Sequence, residues 1–198
     1  MIVQTAERLD HVKEYYFSKK LAQIRDMKTN GREVINLGIG NPDLEPHPSV
    51  IQSAVAHTAM KDVHGYQPYR GIPALRSAFS HWYARQFGVA LSAENEILPL
   101  LGSKEGVMHI SMAFLNKGDG VLVPNPGYPA YEVAAKMCSA RVQHYHLKEK
   151  NNWFPDFEEI EKTDLSHVKI MWVNYPHMPT GTRPAQELFQ RLIEFGLK

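Results

Sequence analysis

The sequence contains little cysteine, no long apolar run and almost no net charge. Its one cysteine, Cys138, excludes an internal disulfide, and the apolar stretch around it favours a structural thiol over a nucleophile. No apolar run reaches the roughly 20 residues that cross a bilayer, and the first residues lack the basic and apolar regions of a secretory signal. We therefore expect a cytoplasmic protein without a membrane partner.

An excess of one charge sign is also missing. The formal net charge is +1, with 22 basic and 21 acidic residues scattered along the chain. Nucleic acid is bound through basic stripes, so we expect no nucleic-acid binding.

His144 and His146 would share one face of a strand, but no third ligand follows at the spacing of a metal site. We interpret both as exposed polar residues and expect no metal.

Apolar segments and helical segments alternate from residue 96 onward. The pattern predicts strands at 96–101, 120–124, 141–146 and 168–173, and helices at 103–115, 128–137, 156–162 and 184–195. This alternation is typical of an α/β fold with a wound, mostly parallel sheet flanked by helices. Ligands bind such sheets at the carboxyl ends of the strands, so the loops there are the candidates for function.

The residues before 96 do not show this regular alternation. Helix-forming residues predict an opening helix over 6–28, and the apolar run 34–39 then predicts a strand or an extended segment that ends in a tight loop. A helix is expected over 48–60, and another begins at Gly71-Ile72-Pro73 and stops at Gly88. The stretch 65–70 between them is too rich in glycine and proline to be regular.

Three loops follow predicted strands and carry chemistry. In 101–106 (LGSKEG), amides at a helix start, the Ser103 hydroxyl and the Lys104 charge would suit a phosphate, although Gly102 and Ser103 could instead only shape the turn and cap the helix. The loop is neither a nucleotide-hydrolase phosphate loop nor a dinucleotide fingerprint. In 123–131 (VPNPGYPAY), Tyr128 could stack on a flat heteroaromatic ring or simply pack in the loop. The loop 172–181 (WVNYPHMPTG) is the most specific of the three.

Taken in order, these motifs resemble one known family. LGIGNPD, GYQPYRGIPALR, LLGSKEG, VPNPGYPAY and NYPHMPTG are similar, in order and spacing, to class I/II aminotransferases of pyridoxal-phosphate (PLP) fold type I. The GSKEG and NPGYPAY segments are similar to the branch that includes LL-diaminopimelate aminotransferases and some aspartate-type enzymes. The resemblance covers nearly the whole chain and corresponds to the amino-terminal half of such an enzyme.

The resemblance implies a domain organisation and a function. Residues 1–45 would form an N-terminal helix and arm that belong to the small domain, and residues 46–198 an incomplete large cofactor-binding domain. PLP would be the cofactor, an amino acid and a 2-oxo acid the substrates, and a homodimer the assembly. A PLP-dependent lyase or synthase of the same fold, or a non-catalytic dimerisation or sensor module, remain alternatives.

The resemblance also assigns residues. Gly102, Ser103 and Lys104 would hold the cofactor phosphate, Tyr128 would stack on the pyridine ring, and Asn174 would belong to the same site. Tyr66 resembles the tyrosine that a neighbouring subunit lends to the phosphate. Gly40 would lie where the backbone approaches the substrate carboxylate.

The sequence departs from the family pattern in two places. Met178 stands where the family usually has an asparagine that hydrogen-bonds the phenolic oxygen of the cofactor, a bond that a thioether cannot donate; Asn174 and His177 are the possible substitutes. After Gly181 the sequence contains one lysine, Lys198, and no aspartate. The lysine that holds the cofactor covalently is therefore absent, so we expect a truncated chain that has no transaminase activity alone. A sheet interrupted in this way would expose an edge and favour association.

Overall fold

The computed structural model describes residues 3–10, 16–38, 40 and 42–198. These fall into two compact units, one formed by the described residues between 16 and 99 and the other by 3–10 together with 100–198. The elements follow in the order α1 (Tyr16–Thr29), α2 (Pro48–Thr58), α3 (Pro73–Phe87), α4 (Ser103–Phe114), β1 (Gly120–Asn125), α5 (Pro129–Met137), β2 (Arg141–His146), α6 (Phe157–Glu161), β3 (Val168–Met171) and α7 (Gln186–Gly196), with short 3-10 helices at Glu7–Leu9 and Glu149–Asn151.

The second unit is built on a three-stranded parallel sheet with the strand order β2-β1-β3. The register pairs Gly120 with Arg141 on one side of β1 and with Val168 on the other. Strand β1 (GVLVPN) is buried along all but its last residue, as expected for a central parallel strand that is covered on both faces. The α/β fold with a parallel sheet and flanking helices is thus confirmed.

The side chains of β1 alternate between two apolar clusters. Val121 and Val123 pack with buried residues of α4 and α5, among them Val107, Ala134 and Ala135. Leu122 points to the other cluster, whose buried members are Tyr145, Leu147 and Ile160. This alternation follows from the two-residue period of a strand, and it leaves the carboxyl end of β1 with helices on both sides.

The unit between 16 and 99 consists of α1, α2 and α3. Helix α3 starts with Pro73 and is terminated by Gly88 at φ +67°, so the predicted boundaries are confirmed. Among the residues of this unit that the structure describes, only Arg76 is buried. Its guanidinium donates to the carbonyls of Ala93 (2.7 Å) and Gly71 (2.6 Å) and pairs with Glu94 (3.0 Å), which ties the start of α3 to the chain on either side of it.

The strand expected at 96–101 is wrong. In the structure these residues form bends and irregular chain, and Leu98 and Leu101 are exposed. An apolar run becomes a strand only when a neighbouring strand supplies hydrogen-bond partners, and no described residue does so here. Residues 34–38 likewise lie outside any strand, which leaves the extended alternative.

The remaining predicted elements from residue 48 onward are confirmed, with ends that differ by a few residues. The opening helix expected over 6–28 is α-helical from Tyr16, and Glu7–Leu9 forms a 3-10 turn; its part at 11–15 lies outside the described residues. The division of the chain at residue 45 stays a prediction. None of the helices in the described part of the chain combines the length and the apolar character needed to cross a membrane.

Candidate functional site

The three loops singled out from the sequence lie in one unit, and two of them follow parallel strands. Loop 126–128 follows β1, and loop 172–181 follows β3, its neighbour in the sheet. Because parallel strands end at the same edge, both loops emerge at the carboxyl edge of the sheet. The remaining loop, the first of the three in the chain, leads through 101–102 into α4, which packs against α5.

The start of α4 has no side-chain cap. Gly102 is the N-cap, with φ 97° and ψ 161°, and no side-chain hydrogen bond caps it. The carboxylate of Glu105, in the first turn, accepts a hydrogen bond from the N–H of Leu101 at 2.5 Å. Leu101 is the residue just before the N-cap Gly102. Ser103 and Lys104 are exposed. The first amides of a helix have no intrahelical acceptors and lie at the positive end of the helix dipole, so this end suits an anion.

Lys104 connects the first loop with the second. Its Nζ atom lies 5.7 Å from the centroid of the Tyr128 ring, within the range of a cation–π contact. Tyr128 is half-buried and is the N-cap of α5, between Gly127 and Pro129. A Cβ at Gly127 would overlap the Pro124 carbonyl oxygen, so only glycine permits this tight turn. The structure therefore brings a cationic helix start and an aromatic ring together.

Tyr128 is the first of three aromatic rings in contact, and Tyr131 and Trp172 are the other two. Tyr131 meets Tyr128 edge to face, with centroids 5.6 Å apart, and stacks on Trp172 with centroids 5.1 Å apart and planes 6° from parallel. Burial, followed by the neighbouring Tyr128, raises the pKa of the Tyr131 hydroxyl. The sequence interpretation missed this pair, although the spacing of three residues between Tyr128 and Tyr131 at a helix start is a signal for side-chain contact.

The third loop is held by its own side chains. The Asn174 side-chain oxygen accepts the N–H of Met178 at 3.1 Å, and the N–H of His177 donates to the Thr182 carbonyl at 2.8 Å. Asn174 is half-buried, whereas the Met178 side chain is 47% exposed. The oxygen of Asn174 is therefore used within the loop, which limits how it could replace the missing asparagine.

His177 is the buried residue of this loop, and the sequence interpretation named it only as a possible substitute donor. It is 3% exposed, its Nδ1 lies 2.8 Å from the Thr180 hydroxyl, and its Nε2 is buried without a hydrogen-bond partner among the described residues. Burial lowers the pKa of His177, and the Pro126 carbonyl opposes this with a smaller raising effect. His177 is thus neutral near pH 7, and its ring faces the loop that carries Tyr128.

Tyr66 and Gly40 belong to the other unit. The Tyr66 side chain is fully exposed, and Gly40 is exposed with no described atom within 4 Å of an added Cβ. A side chain at Gly40 would therefore meet no neighbour within its own unit. Both assignments stay predictions.

Cys138, His144 and His146, which the sequence did not assign to a functional site, occupy structural or surface positions. Cys138 is partly buried against the core of the sheet unit, and burial raises the pKa of its thiol. His144 and His146 are exposed on β2, and His144 pairs with Glu132 at 3.2 Å. No group of three or more His, Cys, Asp or Glu side chains within the described ranges is arranged to hold a metal ion.

This chain is similar to known proteins along most of its length. The family model for aminotransferase class I and II matches residues 32–197. LL-diaminopimelate aminotransferase of Dehalococcoides mccartyi is 38% identical over 197 residues, which cover 99% of this chain and 50% of that protein. Transaminase BacF of Bacillus subtilis is 39% identical over 180 residues, which cover 91% of this chain and 45% of that protein. The apo structure of BacF matches with a TM-score of 0.92 and 34% identity, over 100% of this chain and 50% of that chain. The chain therefore spans about half the length of the curated relatives it matches.

Proposed function

Because this chain belongs to the aminotransferase class I and II family, we propose that it forms the part of a transaminase that holds the phosphate and the ring of PLP. Enzymes of this class and the LL-diaminopimelate aminotransferases depend on PLP and act on amino acids and 2-oxo acids. The complete protein would transfer an amino group from an amino acid to a 2-oxo acid. The observation that carries the proposal is the proximity of Lys104 to the Tyr128 ring, 5.7 Å from Nζ to the centroid.

The start of α4 fits the phosphate group. Backbone amides around Gly102, the hydroxyl of Ser103 and the ammonium of Lys104 are all donors, and a phosphate offers only acceptors near neutral pH. The uncapped helix start and the exposure of Ser103 and Lys104 leave room for such a ligand. These three residues would hold the phosphate.

The second loop fits the ring. Tyr128 is half-buried and held by an aromatic neighbour, so its face would support a flat ring whose phosphate arm lies toward Lys104. When bound, PLP acts as the electron sink for the bond broken at the substrate Cα. The residues of this chain would bind the phosphate, orient the ring and shield one of its faces from water. Asn174, in the loop after the neighbouring strand β3, would complete this side of the site.

Other parts of the proposal concern the assembly. Tyr66 would reach the phosphate of a neighbouring subunit in a homodimer, and Gly40 would lie near the substrate carboxylate; both are exposed. A cytoplasmic location is part of the same proposal. The 198 residues contain no lysine in the family's covalent position, so we expect that they do not transaminate alone and hold PLP only through phosphate and stacking contacts.

Binding of PLP to the 198-residue chain tests the proposal. We expect saturable binding that inorganic phosphate displaces. Ser103→Ala should weaken it roughly ten- to hundredfold, because a hydrogen bond to a charged group contributes about 1.5–3 kcal/mol. Lys104→Gln should weaken it further. Lys162→Gln, which changes an exposed lysine just beyond α6, is the matched control. Equal affinities in all four proteins would contradict the proposal.

Activity is the second arm of the test. The 198-residue chain with PLP should not convert amino acids in the presence of 2-oxo acids, whereas a full-length aminotransferase of the family should do so under the same conditions. Turnover by the 198 residues alone would show that another lysine serves the reaction.

A further inference from the structure

Tyr131 occupies a central position in the aromatic cluster behind the candidate site. It is 7% exposed on α5 and contacts Tyr128 on one side, with ring planes 84° apart, and Trp172 on the other, with planes 6° apart. Edge-to-face and stacked pairs are both favoured orientations of aromatic rings. The three rings therefore form a continuous support, which we name the ring ladder (Tyr128, Tyr131, Trp172).

The inner end of the ring ladder is fixed to the sheet. The N–H of Trp172 donates to the Leu122 carbonyl at 3.0 Å, and its carbonyl accepts the Tyr145 hydroxyl at 2.6 Å. Leu122 lies on β1 and Tyr145 on β2, so main-chain contacts to two strands hold Trp172. These bonds fix the backbone of Trp172, and its ring is held by packing against the apolar cluster of β1, α4 and α5. The packed Trp172 ring and the Tyr131 ring stacked on it therefore have little freedom to tilt.

The outer end is the ring that needs orientation. Tyr128 lies in a loop between Gly127 and Pro129 and is half-buried. A side chain in that setting can occupy more than one rotamer unless its neighbours exclude the others. The edge contact with Tyr131 supplies this restriction, and the Lys104 ammonium lies on the Tyr128 ring as well.

We propose that Tyr131 is a positioning residue, which fixes the plane of the Tyr128 ring and thereby the orientation of the cofactor ring stacked on it. This inference rests on the proposed function. The ring of Tyr131 carries the role, because no residue in the described part of the chain makes a hydrogen bond with its hydroxyl. Removing the hydroxyl should therefore leave PLP binding unchanged, and removing the ring should weaken it.

The test compares variants of the 198-residue chain by their affinity for two ligands, PLP and inorganic phosphate. Tyr131→Phe keeps the ring, and Tyr131→Leu removes it. Trp172→Leu removes the inner support and provides a second route to the same answer if Tyr131→Leu does not fold. Ile160→Ala is the matched control, because it weakens the cluster on the opposite face of the sheet and lowers stability without touching the ring ladder.

We expect Tyr131→Leu to weaken PLP binding about three- to tenfold, the value of a lost aromatic pair, and to leave phosphate binding unchanged. Trp172→Leu should act in the same direction with a smaller effect. Tyr131→Phe and Ile160→Ala should bind both ligands as the unchanged protein does. A cofactor ring held in one orientation gives a larger induced circular-dichroism signal. The signal of bound PLP, normalised to the amount bound, should therefore be smaller only in the two leucine variants.

The outcomes separate this inference from the proposed function. If the unchanged chain binds no PLP, the proposed function falls and the role of Tyr131 falls with it. If the chain binds PLP and the folded leucine variants match it in affinity and circular dichroism, only the role of Tyr131 is overturned. An equal loss of PLP and phosphate affinity in Tyr131→Leu would also overturn it, since that pattern indicates a general disturbance of the site.

Discussion

The imidazole Nδ1 of His177 lies 2.8 Å from the hydroxyl of Thr180, inside a loop where His177 is 3% exposed. This contact secures the turn that follows β3, and the same ring faces the Pro126 carbonyl of the loop after β1. The buried histidine thus lies between the two loops that follow neighbouring strands.

Stability should therefore decrease at low pH because of His177. Burial lowers its pKa in the folded state, whereas an unfolded histidine titrates near ~6.5. The stability linked to neutral His177 is fully present above that pH and is lost as the pH falls toward the folded-state value, because the unfolded chain takes up the proton first. Urea unfolding between pH 8 and pH 5 should give a steeper loss in the unchanged protein than in His177→Asn, by at most about 1.4 kcal/mol per pH unit.

A control for this experiment is His146→Asn, which changes an exposed histidine on β2. Its pH profile should run parallel to that of the unchanged protein. Parallel profiles for His177→Asn as well would show that His177 does not titrate differently in the two states.

Gly102 should resist substitution for reasons of backbone conformation alone. Its φ of 97° and ψ of 161° lie in a region that is essentially reserved for glycine, and nothing lies within 4 Å of an added Cβ. Gly102→Ala should therefore cost about 1–3 kcal/mol of stability through strain rather than through a clash. Thermal and urea unfolding measure this cost, and phosphate affinity should fall in the same variant as the helix start changes shape.

Gly196→Ala provides the comparison. Gly196 is also free of neighbours within 4 Å of an added Cβ, but it lies in α7 without a positive φ. Alanine there should be neutral or stabilising, by up to about 1 kcal/mol. A Gly102→Ala variant as stable as Gly196→Ala would contradict the account of strain at the start of α4.

The loops of the site could be predicted from the sequence because their chemistry is local. Glycine and proline in 101–106 and 123–131 place the chain turns, and the resemblance to class I/II aminotransferases is confirmed by the family match and by similarity to LL-diaminopimelate aminotransferases. Contacts between segments that are far apart in the sequence could not be predicted in this way, because they depend on how the sheet is assembled. The segment 96–101 has the composition of a strand but no described partner, and Trp172 meets Tyr131 only because β1 and β3 are neighbours in the sheet.

Met178→Asn tests the departure from the family motif. The Met178 side chain is 47% exposed and its N–H is bound by Asn174, so the substitution should be tolerated by the fold. Asparagine would return a donor to the position where the family usually has one. A net hydrogen bond contributes about 0.5–1.5 kcal/mol, so we expect PLP to bind roughly two- to tenfold more tightly. Met178→Leu, which keeps an apolar side chain, should leave the affinity unchanged, and equal affinities in both variants would contradict the prediction.

Self-association is expected from the open side of the sheet. Strand β3 lies at the edge of the described sheet, and a groove of about 920 Å³ beside it is lined by apolar residues that include Ile170, Phe189 and Ile193. An unpaired edge next to an apolar surface favours contact between copies. Ile193 is 64% exposed on α7, so Ile193→Lys should not disturb folding and should lower the average mass measured by light scattering. Val133→Lys, at an exposed position on α5, should leave the mass unchanged. A monodisperse monomer of the unchanged chain at moderate concentration would show that this groove does not drive association.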